Sequence, residues 1–183
     1  MGARIGPFRL VAQLGEGGFA PVYLASETYG GVEVRVVALK LFFTEEVTAT
    51  VLEQVALEAR SLGRVEHRSV VRYFQIYEDR DAAILALSME HIRGDSLATR
   101  LEKSGALSLP DTLAVGAQIA SALAAVHAAG LVHRDVKPDN VIDAGGVYKL
   151  IDFGIATNQR KRGARGQAVS PESLFSAPLP VVG

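Results

Sequence analysis

The stretch His133-Arg134-Asp135-Val136-Lys137-Pro138-Asp139-Asn140, followed later by Asp152-Phe153-Gly154, decides the fold. Between the two segments, Val141-Ile142 and Val147 to Ile151 are short apolar runs separated by Asp143-Ala144-Gly145-Gly146, so a tight hairpin is predicted. A hairpin brings its open ends side by side. Asn140 and Asp152 therefore converge, and two such oxygen ligands suit Mg²⁺ accompanied by phosphate and water. Asp135 sits in the loop just before, within reach to accept a proton, and Lys137 supplies a mobile cation for phosphate oxygens. Other chemistries fit less well. His133-x-Asp135 has no further His or Cys cluster nearby to complete a transition-metal site. Asp135 to Gly146 has the length of an EF-hand loop, but Asn140 replaces its central Gly and Gly146 its final Glu.

Upstream, two charges stand on apolar faces. Val32 to Phe42 reads as a strand, and Lys40 shares a face with Val34, Val36 and Ala38. Glu45 to Val65 reads as a helix with acidic Glu45 and Glu46 in its first turn, Thr44 as its cap, and Arg60 and Arg64 near its end. Glu58 falls on the same stripe as Val51, Val55 and Leu62. An isolated charge on an apolar face is costly, so Lys40 and Glu58 suggest a buried pair. Spacing alone does not choose between that pair and two charges at element edges.

Gly15-Glu16-Gly17-Gly18-Phe19-Ala20 lies between Phe8 to Leu14 and Val22 to Ala25, both read as strands. Glycines let a backbone approach phosphate and offer N–H groups. The same residues match the dinucleotide fingerprint, but that motif requires a helix directly after it, and Pro21-Val22-Tyr23-Leu24 continues as a strand.

Outward from these motifs, Val70 to Tyr77 and Ala83 to Met89 read as two more strands, giving five strands and one helix in the first ninety residues. Ser96 to Lys103 reads as a short helix. Pro110-Asp111 opens an Ala-rich helix that ends near Gly130, with Leu113, Gly116, Ala120 and Leu123 as its apolar stripe. Thr112 to Val132 has no Asp, Glu, Lys or Arg, but Gln118, Ser121 and His127 favour a buried helix over a membrane span. His127 reads as a packed or capping residue. After Ala156 the chain turns polar and basic, with Arg160, Lys161, Arg162 and Arg165, then Pro-rich, and is expected to be unstructured.

The 183 residues suit one domain or two small lobes. A net charge of -1 gives no sign of a nucleic-acid partner. The absence of Cys excludes disulfides and thiolate metal sites and fits a cytoplasmic protein. Met1 to Leu10 lacks the charged head and apolar core of a signal peptide, and Gly6 stands where a myristoylation motif needs Ser or Thr.

Taken together, the segments from Phe8 to Gly154 resemble the eukaryotic-like serine/threonine protein kinases, especially their bacterial branch. The resemblance implies an α+β, two-lobe fold. Residues 1–92 would form a five-stranded antiparallel lobe with one helix, plus a hinge. Residues 93–156 would form part of a mainly helical lobe, and residues 157–183 an irregular activation segment. It further implies a cradle for ATP made by Leu14, Gly15, Glu16, Gly17, Gly18, Val22 and Ala38. Lys40 would hold the α- and β-phosphates, with Glu58 as its partner. Met89 would be the gatekeeper, Glu90 to Ile92 the adenine-binding hinge, and Asp95 or Ser96 a ribose neighbour. Asp135 would be the catalytic base, Lys137 the γ-phosphate contact, and Asn140 and Asp152 the Mg²⁺ ligands. A lysine two residues after the base is typical of transfer to Ser or Thr in a protein substrate, and Arg134 typical of phosphorylation-controlled members.

Three departures accompany the resemblance. The third glycine of the phosphate loop is Ala20, followed by Pro21. Ser170-Pro171-Glu172, or less well Ala177-Pro178-Leu179, would end the activation segment without the usual Gly-Thr before it, and Thr157 is the one hydroxyl between Gly154 and Ser170. The family's domain also continues through further helices, so an incomplete second lobe is expected, with a partner chain as one candidate cover. The alternative reading is a truncated, catalytically poor nucleotide-binding fragment or regulatory partner.

Overall fold

A computed structural model describes residues 3–15, 20–43 and 49–153, the side chains at 49–52, 54 and 58 excepted. Glu16, Gly17, Gly18, Thr44, Glu45, Glu46 and everything from Gly154 onward lie outside the described residues, as does the Glu58 side chain. The expectations placed on them are neither met nor corrected here.

The chain divides into two compact units. The first takes Met1–Ala56 and Tyr73–His91, and the second Leu57–Arg72 with Ile92–Thr157. In the first, strands β1 (Arg4–Ile5), β2 (Phe8–Gly15), β3 (Val22–Tyr29), β4 (Val32–Phe43), β5 (Tyr73–Asp79) and β6 (Ile84–Glu90) form one antiparallel sheet, ordered β1-β2-β3-β4-β6-β5. Six strands stand where five were expected. The extra one, β1, is two residues long and folds back on β2 through Gly6, whose φ of +52° disfavours side chains. Two residues are too few for a period-2 pattern to register in sequence. Val70 to Tyr77 also starts late as a strand, at Tyr73, while Val70 forms an isolated parallel bridge to Leu150.

One face of this sheet is dry. Phe8, Leu10, Tyr23, Ala25, Val37, Leu39, Leu41, Ile84 and Ala86 occupy alternate positions along their strands and form one buried cluster. Each fully buried large apolar side chain contributes about 1.5–3 kcal/mol. The sheet curls, so β5 meets the opposite strands. Tyr77 stands edge-on to Phe8 at 6.2 Å, and its ring fills the place a Cβ on Gly6 would take. Arg35 lies 4.1 Å from the Phe74 ring centroid, and Gln75 donates to Glu27 at 2.9 Å. Register shifts in β2 near Val11 and Leu14 are bulges that add twist just before the Gly-rich turn. Helix α1 (Ala49–Leu62) buries Val55, Ala59 and Leu62.

In the second unit, Ser96 caps α2 (Leu97–Ser104) by accepting from the Thr99 amide, and Ser108 caps α3 (Leu109–Ala128) by accepting from the Asp111 amide. The hairpin β7 (Val141–Asp143) and β8 (Tyr148–Leu150) packs on both helices through Leu97, Val115, Ile119, Val141, Tyr148 and Leu150. Leu57–Arg72 joins this unit because the Val71 amide donates to Leu150 and the Leu150 amide donates to Ser69.

The buried stripe of α3 is a correction. Val115, Ile119, Ala122 and Val126 face inward, whereas Leu113 is 64% exposed and Gly116 and Ala120 are exposed; of the expected stripe, Leu123 alone packs, partly buried, against the hairpin cluster. Both stripes have helical spacing, and in an Ala-rich helix the branched Val and Ile side chains offer more area to bury. The helix is long and apolar enough, by length and composition, to cross a membrane, with a mean hydropathy of 1.4. Its mid-length Gln118 is nevertheless tied to the hairpin, donating to the Gly146 carbonyl and accepting from the Tyr148 amide.

Ser88 on β6 is fully buried, and its hydroxyl finds no hydrogen-bond partner among the described residues. A buried orphan hydroxyl costs about 1–3 kcal/mol. Ser88→Ala is therefore expected to raise the thermal midpoint by about 2–4 °C per kcal/mol recovered. A lower midpoint in a calorimetric melt would show that Ser88 is satisfied in solution.

Candidate active site

Asp135 is held at every polar group it has. Its amide donates to His133 Nδ1 at 3.3 Å. Its carbonyl accepts from Asn140 Nδ2 at 2.8 Å, and its carboxylate Oδ2 from the same nitrogen at 2.9 Å. Lys137 Nζ lies 3.0 Å from that same Oδ2. These bonds all form within eight residues, because Pro138, with its preset φ, starts a 3₁₀ turn (Pro138–Asn140) that doubles the loop back on itself.

His133 and Asn140 are the buried props of this loop. His133 Nε2 lies 2.9 Å from the Ile151 carbonyl, which accepts its proton, since Nδ1 is already an acceptor. The ring also stacks on Phe153 at 4.5 Å between centroids. Asn140 was singled out in sequence for its oxygen, yet its nitrogen makes both bonds to Asp135. His133 has no catalytic role in the sequence reading, and the fold makes it a bridge between the Ile151 carbonyl and the Asp135 amide. Its signal was the apolar surroundings of an imidazole that must be neutral to accept.

Asp152 is placed by the hairpin. The Ile151 amide donates to the Asn140 carbonyl at 2.9 Å, extending the β7–β8 ladder so that Asp152 follows directly beside Asn140. Its φ is +56°, and Arg134 has φ +68°. Such left-handed non-Gly residues cost about 1–3 kcal/mol each and cluster where geometry is imposed by function.

Charges tune one another here. Lys137 holds the Asp135 carboxyl below the usual range, with Asn140 adding to the effect. Asp135 in turn raises Lys137, helped by the negative charges of Asp139 and Asp152. Burial pushes His133 down, opposed by its bond to Ile151.

The donor set fits Mg²⁺ that arrives with a phosphate ligand. Asn140 Oδ1 and the Asp152 carboxylate are hard oxygen donors on adjacent backbone. Among the described residues no group of three His, Cys, Asp or Glu is placed to hold a metal ion.

In the first unit, the strand register puts Val22, Ala38, Lys40 and Met89 on one sheet face. Val22 pairs with Lys40, and Ala38 with Met89. Lys40, Ala38 and Met89 are buried there, and Lys40 Nζ stands 5.8 Å from the Phe42 ring centroid. Val34 and Val36, expected on the same apolar face as Lys40, are exposed, because β6 pairs with β4 only from Val37 onward and that end of β4 runs past it. Leu14 and Gly15 end β2, and Glu90 ends β6. Ile92 and Asp95 follow in the second unit.

The chain belongs to the protein kinase domain family, which it matches over residues 8–178. It is 40% identical over 159 residues to the serine/threonine-protein kinase PknE of Mycobacterium tuberculosis, a match covering 85% of this chain and 27% of that protein. It is 38% identical over 173 residues to the serine/threonine-protein kinase PknH of Mycobacterium bovis, covering 92% and 28%. A crystal structure of Rad53 1-466 in complex with AMP-PNP superposes with a TM-score of 0.70 at 27% identity, covering 81% of this chain and 38% of that one. The chain thus spans less than a third of the curated relatives' length.

Two predictions follow from the local chemistry. The folded-state pKa of His133 lies below its unfolded value, so the unfolded chain binds that proton more readily. Above the ordinary imidazole value of about 6.5 His133 costs nothing, and stability is withdrawn as pH falls from there towards the folded pKa. Melts between pH 7 and 5 should fall more steeply in the parent than in His133→Gln; equal slopes would mean a solvated imidazole. Separately, Lys137→Met should raise the Asp135 carboxyl pKa in an NMR titration, and an unmoved pKa would exclude the ion pair in solution.

Proposed function

We propose that this chain is an ATP-dependent protein kinase catalytic module that transfers the γ-phosphate to a Ser or Thr hydroxyl of a protein substrate. The observation that carries this reading is the Asp135 carboxylate, oriented by Asn140 and paired with Lys137 in one loop. Its second oxygen, Oδ1, is the acceptor for the substrate hydroxyl proton. That carboxylate is ionised at neutral pH, as an ordinary aspartate is, and its bond to Lys137 favours the charged form further. Lys137 bears a cation beside the base, where it can follow charge developing on the transferred phosphoryl group.

Asn140 Oδ1 and Asp152 would hold Mg²⁺, which supplies charge neutralisation of the phosphate oxygens when bound. Lys40 meets the α- and β-phosphates, and Glu58 is assigned as its partner. Leu14, Gly15, Val22, Ala38 and Met89 are assigned to the nucleotide, and the backbone of Glu90 to Ile92 to adenine. Two facts support the reading. The chain is about 40% identical to serine/threonine-protein kinases, and its fold is that of a kinase bound to AMP-PNP. A reducing cytoplasm is the compartment we assign, in keeping with a sequence free of Cys.

The test combines binding and turnover. ATP with Mg²⁺ should raise the thermal midpoint of the parent and not of Asp152→Ala. Asp135→Ala should retain that shift and lose about 10²–10⁴-fold in phosphate incorporation into a Ser/Thr substrate. Incorporation that persists in Asp135→Ala would overturn the assignment of the base. A shift without turnover in the parent would leave a nucleotide-binding, catalytically poor fragment.

A further inference from the structure

The hairpin that carries Asn140 and Asp152 is clasped at its other end. Asp143 on β7 and Tyr148 on β8 are directly paired across the ladder. A single nitrogen of Arg100, on α2, donates to both, to Asp143 Oδ2 at 2.7 Å and to the Tyr148 hydroxyl. The other oxygen of Asp143 accepts from the Gly146 amide at 2.8 Å and closes the turn. One guanidinium therefore grips both strands at one register position.

The segment before α2 lies along the same hairpin. The Asp143 amide donates to the Asp95 carbonyl at 3.0 Å, and Ser96 bridges antiparallel to Ile142. Gly94 approaches so closely that a Cβ there would overlap the Asp143 carbonyl oxygen, and its φ of +149° is itself one that side chains rarely adopt. Asp95 and Ser96 thus lie against β7 through one isolated bridge, and α2, capped by Ser96, presents Arg100 one turn later.

We propose that Arg100 is a positioning residue for the metal ligands, fixing the β7–β8 register through Asp143 and Tyr148 so that Asn140 and Asp152 stay side by side. This rests on the reading of Asn140 and Asp152 as Mg²⁺ ligands. Slippage at the closed end is transmitted along a hairpin only three residue pairs long, with no intervening turn to absorb it. A merely structural Arg100 would lower basal stability on losing these partly buried bonds and leave the response to Mg²⁺ unchanged.

The test follows the thermal midpoint of the full chain in ATP with EDTA, and in ATP across a Mg²⁺ titration. The parent should show a Mg²⁺-dependent increment. Arg100→Met should keep the shift given by ATP alone and need about tenfold more Mg²⁺ for half of the increment, the lower end of the effect for groups behind metal ligands. Arg100→Lys should restore part of it. Tyr148→Phe removes a single hydroxyl and serves if Arg100→Met fails to fold; it should shift the Mg²⁺ midpoint in the same direction, non-additively with Arg100→Met where both fold. If Arg100→Met or Tyr148→Phe lowers the basal midpoint but leaves the Mg²⁺ midpoint unchanged, this proposal is overturned and the ligand assignment stands. A parent with no Mg²⁺ increment would overturn the ligand assignment and, with it, this role for Arg100.

Discussion

Asn140 donates its amide nitrogen twice to Asp135, once to the carbonyl and once to the carboxylate. The geometry of the loop depends on this interaction. A carboxylate in a loop is ordinarily free to rotate, and its use as a base requires that one oxygen be committed elsewhere. Here Asn140 and Lys137 share Oδ2, and neither takes Oδ1. Because Asn140 is buried and its carbonyl accepts from Ile151, the orientation of the base is tied to the backbone of the hairpin. The proposed base and the proposed metal ligands are thus tied through the same residue.

Around that residue the second unit is assembled from polar ties as much as from apolar packing. Gln118 on α3 and Arg100 on α2 hold the hairpin by its turn and strands, and Ser69 and Val71 hold β8 through the backbone. His133 fills the space beneath the loop and is neutral because burial disfavours its charge. The first unit works differently. Its sheet is held by the apolar cluster on one face, which leaves the other face to carry Lys40 between Val22 and Leu87.

Much of this was legible in sequence because it is local. The hairpin followed from two short apolar runs around Asp-Ala-Gly-Gly, and the strands from alternation. The side on which α3 packs was not legible, since an Ala-rich helix offers two stripes of equal spacing and only the neighbouring hairpin selects Val115 and Ile119. Strand β1 was missed because two residues carry no period. The close approach of Gly94 to Asp143 was not legible either, because it depends on a residue some fifty positions away.

By itself the sequence determined the kind of chemistry, since Asp135, Lys137, Asn140 and Asp152 lie within eighteen residues and a hairpin between them leaves little choice of arrangement. It also put Lys40 on the same strand face as Ala38, because alternate side chains of a strand share a face. Only the tertiary structure decided which atom of Asn140 is committed to Asp135, that His133 accepts from the Asp135 amide, and that Arg100 spans the two strands of the hairpin. The reason is one of range. Periodicity and turn chemistry act over a few residues and survive in sequence, whereas the orientation of an amide or a guanidinium is set by partners that only the folded chain brings within 3 Å.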